Sequence, residues 1–184
     1  YAGDAGFFAR PEVRDALAWL RLLADPNDAA AVVRALTRPP TELRSGDLAR
    51  VTTIARRRKL DMVSALEAAL ESPQLGPEAR DRIQGFLKLH ASAARALEAM
   101  RADVFVRRLI ERIGLRRQRL FAATPEAAER LRNLSRLAEL AAEWTQRAPR
   151  GSVRDFVRHI TAIADAGPLG HDGAEPPVPG AVVL

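Results

Sequence analysis

The sequence predicts an all-α protein. Apolar residues recur at spacings of three and four along nearly the whole chain, alternation with a period of two is missing, and proline, serine, threonine and aspartate stand where helices would begin. About eight helices are expected, with boundaries good to about 2–4 residues. Cysteine is absent, which excludes disulfide scaffolds, Cys-ligated zinc, iron–sulfur clusters and thiol catalysis. At 184 residues, 47% hydrophobic and 28% charged, the composition is that of a soluble, cytoplasmic globular domain with a core of its own. No apolar run reaches the ~18 residues of a membrane span, so no membrane partner is expected.

The first helix is expected to begin at Pro11, whose missing N–H suits a first turn, and to bury Val13, Leu17, Leu20 and Leu23. Ala24-Asp25-Pro26 ends it. Pro26 then opens a second helix with Asp25 as N-cap, and this helix carries Ala30, Val33 and Leu36 up to Pro39-Pro40. Ser45 reads as the N-cap of a third helix, with Leu48, Val51 and Ile54 inward. Asp61 reads as the cap of a fourth, with Val63, Leu66 and Leu70 inside.

Pro73 to Pro77 is a turn, and a long helix follows with Ile83, Phe86, Leu87, Leu97 and Met100 on its apolar side. Another helix, Val104 to Ile113, ends at Gly114. Thr124-Pro125-Glu126 is a cap, a first-turn proline and an acidic first turn; Leu131, Leu134, Leu137, Leu140 and Ala141 follow. Ser152 with Asp155 resembles a capping box ahead of Phe156, Ile160 and Ile163. Trp19 and Trp144 fall within helical stripes and read as packing residues.

The ends differ from the middle. Residues 1–8 are glycine-rich and read as an extended lead-in, residues 9–166 as the helical body, and residues 167–184 as a Gly/Pro-rich return segment. The last four, Ala181-Val182-Val183-Leu184, resemble the start of a strand. Two extended ends entering and leaving a neighbouring sheet would make the body an insertion.

No phosphate loop, dinucleotide fingerprint, zinc-protease motif or nucleophile elbow occurs. His90, His159 and His171 share no ligand-like spacing, so no metal site is expected. Carboxylates mostly sit beside arginines, as in Glu78-Ala79-Arg80-Asp81-Arg82, where solvated helix pairs explain them. No catalytic residue is expected.

The basic residues are more informative. The chain has 29 Lys+Arg against 23 Asp+Glu, a net charge of +6; Lys59 and Lys88 are the only lysines, which leaves 27 arginines. Arg56-Arg57-Arg58-Lys59 closes the third helix. Arg107, Arg108, Arg112, Arg116, Arg117 and Arg119 cluster around Gly114. Either group is a solvated face enriched in arginine or a set of phosphate contacts. With 5% aromatics, backbone contact with a duplex fits better than a stacking platform for single strands.

The run Gly6-Phe7-Phe8-Ala9-Arg10-Pro11-Glu12-Val13 through Trp19-Leu20-Arg21-Leu22-Leu23-Ala24-Asp25-Pro26-Asn27-Asp28 closely resembles the lead-in to subdomain 2B of the UvrD/Rep/PcrA-type superfamily-one helicases, with Trp19 and Asp25 as mild departures. Phe105 to Leu115 is similar to that family's mid-2B helix, which ends in Gly-Leu. Arg132-Asn133-Leu134 with Leu137 resembles a later helix, and Phe156 sits where the last 2B helix stands.

The resemblance implies an all-helical insert that binds duplex or forked DNA ahead of an ATP-dependent 3′→5′ helicase in repair or recombination. It implies a swivel on connections to domain 2A, here around Gly3, Gly6, Gly167 and Gly170. ATP and Mg²⁺ would belong to other domains, so this chain alone is expected to hold no cofactor and to neither hydrolyse ATP nor unwind.

Where the family carries Thr-Pro-x-Arg-Gly-Ile-Gly, this chain has Glu42-Leu43-Arg44 at the last three places. Arg38 and Arg44, assisted by Thr37 and Thr41, are the expected DNA contacts, with Arg56, Arg57, Arg58 and Lys59 as a further group. Loss of the two glycines also suits an alternative, in which the insert docks a partner protein of a helicase–nuclease complex. A free-standing helical regulator of the helix-turn-helix kind is the third reading.

Overall fold

The computed structural model describes residues 5–115 and 124–166. Nine α-helices are present among them and no strand: α1 (Ala5–Ala9), α2 (Pro11–Ala24), α3 (Ala29–Thr37), α4 (Ser45–Arg58), α5 (Met62–Ala69), α6 (Pro77–Ala99), α7 (Ala102–Ile110), α8 (Pro125–Arg147) and α9 (Val153–Ala166). The all-α expectation holds. The lead-in expected to be extended over residues 1–8 is helical from Ala5 on. Gly6 therefore lies inside α1 and needs none of glycine's conformational freedom. Gly3, Gly167 and Gly170, with the whole return segment, lie outside the described residues.

α2 is the central helix. A single stripe of Val13, Leu17, Leu20 and Leu23 was expected, but Ala16, Leu17, Ala18, Trp19 and Leu20 are all buried in succession. A stretch buried on every face must be covered on every face, and α1, α3, α6, α8 and α9 all pack against α2. Trp19, 1% exposed, packs its ring 5.1 Å from that of Phe86 on α6. The buried side chains form one continuous core running from Phe7 to Ile160.

α4 is the outlier. It packs mainly on α5 and buries only Val51 and Ala55, so most of its surface faces solvent.

Local chemistry placed some helix starts as expected and others not. Thr124 Oγ1 accepts from the Ala127 N–H at 3.2 Å, and Asp61 Oδ1 accepts from Val63 and Ser64 at 2.9 and 3.0 Å. Asp25 does not cap α3. Its N–H closes α2 on the Arg21 carbonyl, and its carboxylate accepts from the Asn27 N–H at 2.9 Å in a local turn. The cap falls to Asp28, which accepts from Ala31 at 3.0 Å while its other oxygen holds Arg21 at 2.7 Å. Gly114 does not stop a helix running to Ile113. α7 starts at Ala102, leaves Val104 41% exposed, and passes at Ile110 into a π turn, Glu111–Leu115, that includes Gly114.

The box at Ser152 forms as expected. Asp155 Oδ2 accepts from the Ser152 N–H at 2.9 Å and its hydroxyl at 2.7 Å, and the Asp155 N–H donates to Ser152 Oγ at 3.1 Å. The Ser152 hydroxyl first, then the Ser152 amide and Arg158, hold the Asp155 carboxyl down at about 2. A carboxyl lowered in the folded state stabilises above its unfolded pKa, about 3.9, and that contribution is lost as pH falls through the folded value. Protection of the amides at the start of α9 against hydrogen exchange, relative to their intrinsic rate, is therefore expected to fall between about pH 4 and pH 2. An unchanged pH profile in Asp155→Ala would contradict this.

Candidate nucleic-acid interface

The α3–α4 hairpin gathers most of the expected contacts. α3 ends at Thr37, whose exposed hydroxyl donates back to the Val33 carbonyl at 3.0 Å. Arg38 follows in extended backbone, and its Nε donates to Asp15 Oδ2 at 3.2 Å. Asp15 is shared with Arg34, 2.6 Å away. Thr41 is 5% exposed and does not reach the surface, which removes it from the expected contacts. Leu43, 4% exposed, anchors the loop in the core, and its N–H donates to the Leu36 carbonyl at 2.7 Å.

The loop's own amides are largely consumed. The N–H groups of Thr41 and Glu42 both donate to the Arg38 carbonyl at 3.1 Å. Glu42 has φ 52°, the left-handed region, and its carbonyl accepts from Arg82 on α6. Arg82 also donates to Glu78 Oε1 at 2.7 Å, while Arg44 reaches Glu78 Oε2 at 2.7 Å. One carboxylate thus tethers two arginines beside the hairpin. The Arg44 and Glu78 side chains are 70% and 52% exposed, so the pair is weak and exchangeable.

Ser45 is not the N-cap of α4. It is the first helical residue, and Arg44 occupies the cap position without any side-chain hydrogen bond to the helix. By helix geometry the first amides, those of Ser45 and Gly46, are left projecting at the positive end of the dipole. A methyl group at Gly46 would meet nothing within 4 Å, so the approach to them is open. Uncapped amides directly after Arg44 are a fitting seat for a phosphate.

Arg56, Arg57, Arg58 and Lys59 lie at the other end of α4. They are exposed; Arg58 reaches Glu71 only at 3.9 Å, and the other three form no ion pair among the described residues. Lys59 adopts φ 56° and lets the Leu60 N–H close on the Ala55 carbonyl at 3.0 Å. Fourteen helical residues span about 20 Å, some six steps along one DNA strand at about 3.4 Å each. The two groups are therefore separate contacts on one helix rather than one cluster.

Of the arginines around Gly114, Arg107 is exposed, Arg108 lies 3.8 Å from Met100 Sδ, and Arg112 donates to Ser92 Oγ at 2.6 Å. Arg116, Arg117 and Arg119 lie outside the described residues. Arg112 does share a cavity with Arg38. His90 is half-buried, stacked on Phe86 at 6.1 Å, and burial pushes its pKa down against the nearby carboxylates of Glu67 and Asp61. His159 is exposed and His171 is not described. Among the described residues no three His, Asp or Glu side chains gather as a metal site would need, and no helix is long and apolar enough to cross a membrane.

With this geometry in view, the relationship of the chain to known proteins is informative. The model of the UvrD-like helicase C-terminal domain matches residues 1–168. The chain belongs to that family. Over 188 aligned residues it is 28% identical to ATP-dependent DNA helicase UvrD1 of Mycobacterium tuberculosis H37Rv, covering 94% of this chain and 24% of that protein. It is 29% identical to DNA helicase II of Escherichia coli K12, covering 78% of the chain and 20% of the relative. For ATP-dependent DNA helicase PcrA of Staphylococcus aureus NCTC 8325 the values are 22%, 89% and 22%. The chain spans about a quarter of the length of these helicases.

Within the UvrD-like family, the resemblance places a glycine where this chain has Glu42. Glu42 has a positive φ, the left-handed backbone that favours glycine, without being a glycine. An L-residue there costs about 1–2 kcal/mol, partly offset because glycine gives up about 0.4–1 kcal/mol more to the unfolded chain. Glu42→Gly is therefore expected to stabilise the chain by about 0.5–1 kcal/mol in urea denaturation. With a negative charge removed, it is also expected to tighten duplex binding. Destabilisation by the glycine would contradict the strain argument.

Proposed function

We propose that this chain is the duplex-binding 2B-type subdomain of an ATP-dependent 3′→5′ DNA helicase acting in DNA repair or recombination in the cytoplasm. The observation that carries the reading is the α3–α4 hairpin, where the uncapped amides of Ser45 and Gly46 directly follow Arg44, with Arg38 at the other end of the loop, in the segment that resembles the family's duplex-contact loop. Duplex phosphates seat at the amino end of α4 while Arg56, Arg57, Arg58 and Lys59 engage the backbone some six steps away. No base-reading element is required. Binding by this chain alone falls in the non-specific range, with Kd about 10⁻⁴–10⁻⁶ M and a strong salt dependence.

In this reading ATP and Mg²⁺ are bound by parts of the helicase outside these residues. The chain's role is to hold the duplex ahead of the fork and to swivel on connections near Gly3, Gly167 and Gly170, so setting whether unwinding proceeds. Fluorescence anisotropy of the full chain with a labelled duplex tests the reading: saturable binding that weakens steeply with salt is expected. One observation favours docking a nuclease-type partner instead, namely that the amides of Thr41, Glu42 and Leu43 are already engaged within the chain. Failure to bind forked DNA even at low salt would favour that second reading.

A further inference from the structure

We propose that the cavity between the start of α2, the α3–α4 hairpin, the π turn and α8 is a binding site for a mononucleotide-sized organic phosphate. The cavity encloses about 280 Å³, near the lower end of the range of small-molecule sites, about 300–1,000 Å³. Three arginines line it from three separate elements: Arg38 after α3, Arg112 on the π turn and Arg130 on α8. π turns interrupt helices preferentially at functional sites, and this one brings Arg112 to the cavity wall.

The two carboxylates in the wall are already engaged. Asp15 is held by Arg34 at 2.6 Å and by Arg38 at 3.2 Å, and Glu12 accepts from Asn133 Nδ2 at 2.6 Å. Among the described residues Arg130 forms no ion pair and Arg112 is bonded only to the neutral Ser92 hydroxyl. Two arginines therefore remain uncompensated by any described carboxylate, and planar guanidinium groups suit phosphate oxygens. The remaining wall, with Pro39, Pro40, Ile113 and Leu134, offers an apolar face for a base or sugar. A free nucleotide and the terminal nucleotide of a strand present the same chemistry, so the site does not rest on the duplex-binding reading, although it shares Arg38 with it.

The test is an amide NMR titration of the full chain with thymidine monophosphate, inorganic phosphate, thymidine and a 5′-phosphorylated oligothymidylate. Saturable shifts at Ile113, Gly114 and Leu134 are expected with the monophosphate, with little response to thymidine. Affinity should fall roughly tenfold in Arg130→Ala and recover partly in Arg130→Lys. Tighter binding of the oligomer would identify a strand end as the source; equal binding would identify the free nucleotide. Arg130 lies outside the hairpin contacts, so loss of nucleotide binding with duplex affinity retained separates this site from the duplex grip. No saturable shift with the monophosphate, an equal response to inorganic phosphate, or indifference to Arg130→Ala would overturn the proposal.

Discussion

Replacing Arg38 and Arg44 together by alanine is expected to weaken duplex binding by roughly 10- to 100-fold and to lower the salt slope by about 2. Arg44 stands at the uncapped start of α4, where charge neutralisation and the helix dipole act on the same phosphate, and Arg38 supplies a second cation at the other end of the hairpin loop. Each is tied in the free chain to a carboxylate, Arg38 to Asp15 and Arg44 to Glu78; the Arg44 pair is solvated and contributes only about 0–1 kcal/mol, and Asp15 keeps Arg34 at 2.6 Å when Arg38 is removed. A phosphate can therefore displace or join them at small cost. For the same reason the double variant should retain its fold, so circular dichroism and the urea midpoint should change little. Full duplex affinity in a folded double variant would remove the hairpin from the interface.

Gly151→Ala is expected to cost roughly 1–3 kcal/mol of stability. A Cβ on Gly151 would overlap Cη2 of Trp144 and lie 2.8 Å from Cζ2 and 3.0 Å from Cζ3. No real carbon sits that close, so either the indole or the turn between α8 and α9 has to move. The indole is not free to yield, because its ring packs edge-on to the fully buried Phe156 at 5.7 Å. The turn is fixed by the Gly151 N–H donating to the Ala148 carbonyl at 3.0 Å. At about 2–4 °C per kcal/mol for a chain of this size, the melting temperature should fall measurably. Gly151→Ala combined with Trp144→Leu should recover part of the loss, since the clash goes with the ring. A wild-type melting temperature in Gly151→Ala would contradict the close approach.

What was legible in the sequence was what local chemistry decides. Thr124, Asp61 and the Ser152–Asp155 box could be read because a cap bonds to amides two or three residues away. Asp25 and Ser45 carry the right side chains in nearly the right places. They lost the role to Asp28 and Arg44 because the turn at Asn27 and the anchoring of Leu43 in the core fixed where the chain could begin to wind. The burial of Ala16 to Leu20 on every face follows from five neighbours whose arrangement no periodicity in α2 encodes.

The candidate interface divides in the same way. Arg38 and Arg44 were reachable through a resemblance, and Arg56 to Lys59 as a charge run. The contacts that hold the hairpin, Arg38 to Asp15, Arg44 to Glu78 and Arg82 to the Glu42 carbonyl, were not, because they join residues 23 to 40 places apart. The burial of Thr41, the length of α4 between its two basic ends and the meeting of Arg38 with Arg112 and Arg130 are likewise products of packing. The positive φ at Glu42 had a trace in the sequence: the glycine that the family places there.

The central claim, that duplex DNA seats on the amino end of α4, is tested most directly by following backbone amides of the isotope-labelled full chain during titration with a short duplex at low salt. The largest shifts are expected at Arg44, Ser45 and Gly46, with a second set at Arg57, Arg58 and Lys59, and both sets should fade together as salt is raised. Binding that leaves Arg44, Ser45 and Gly46 unmoved would contradict the account.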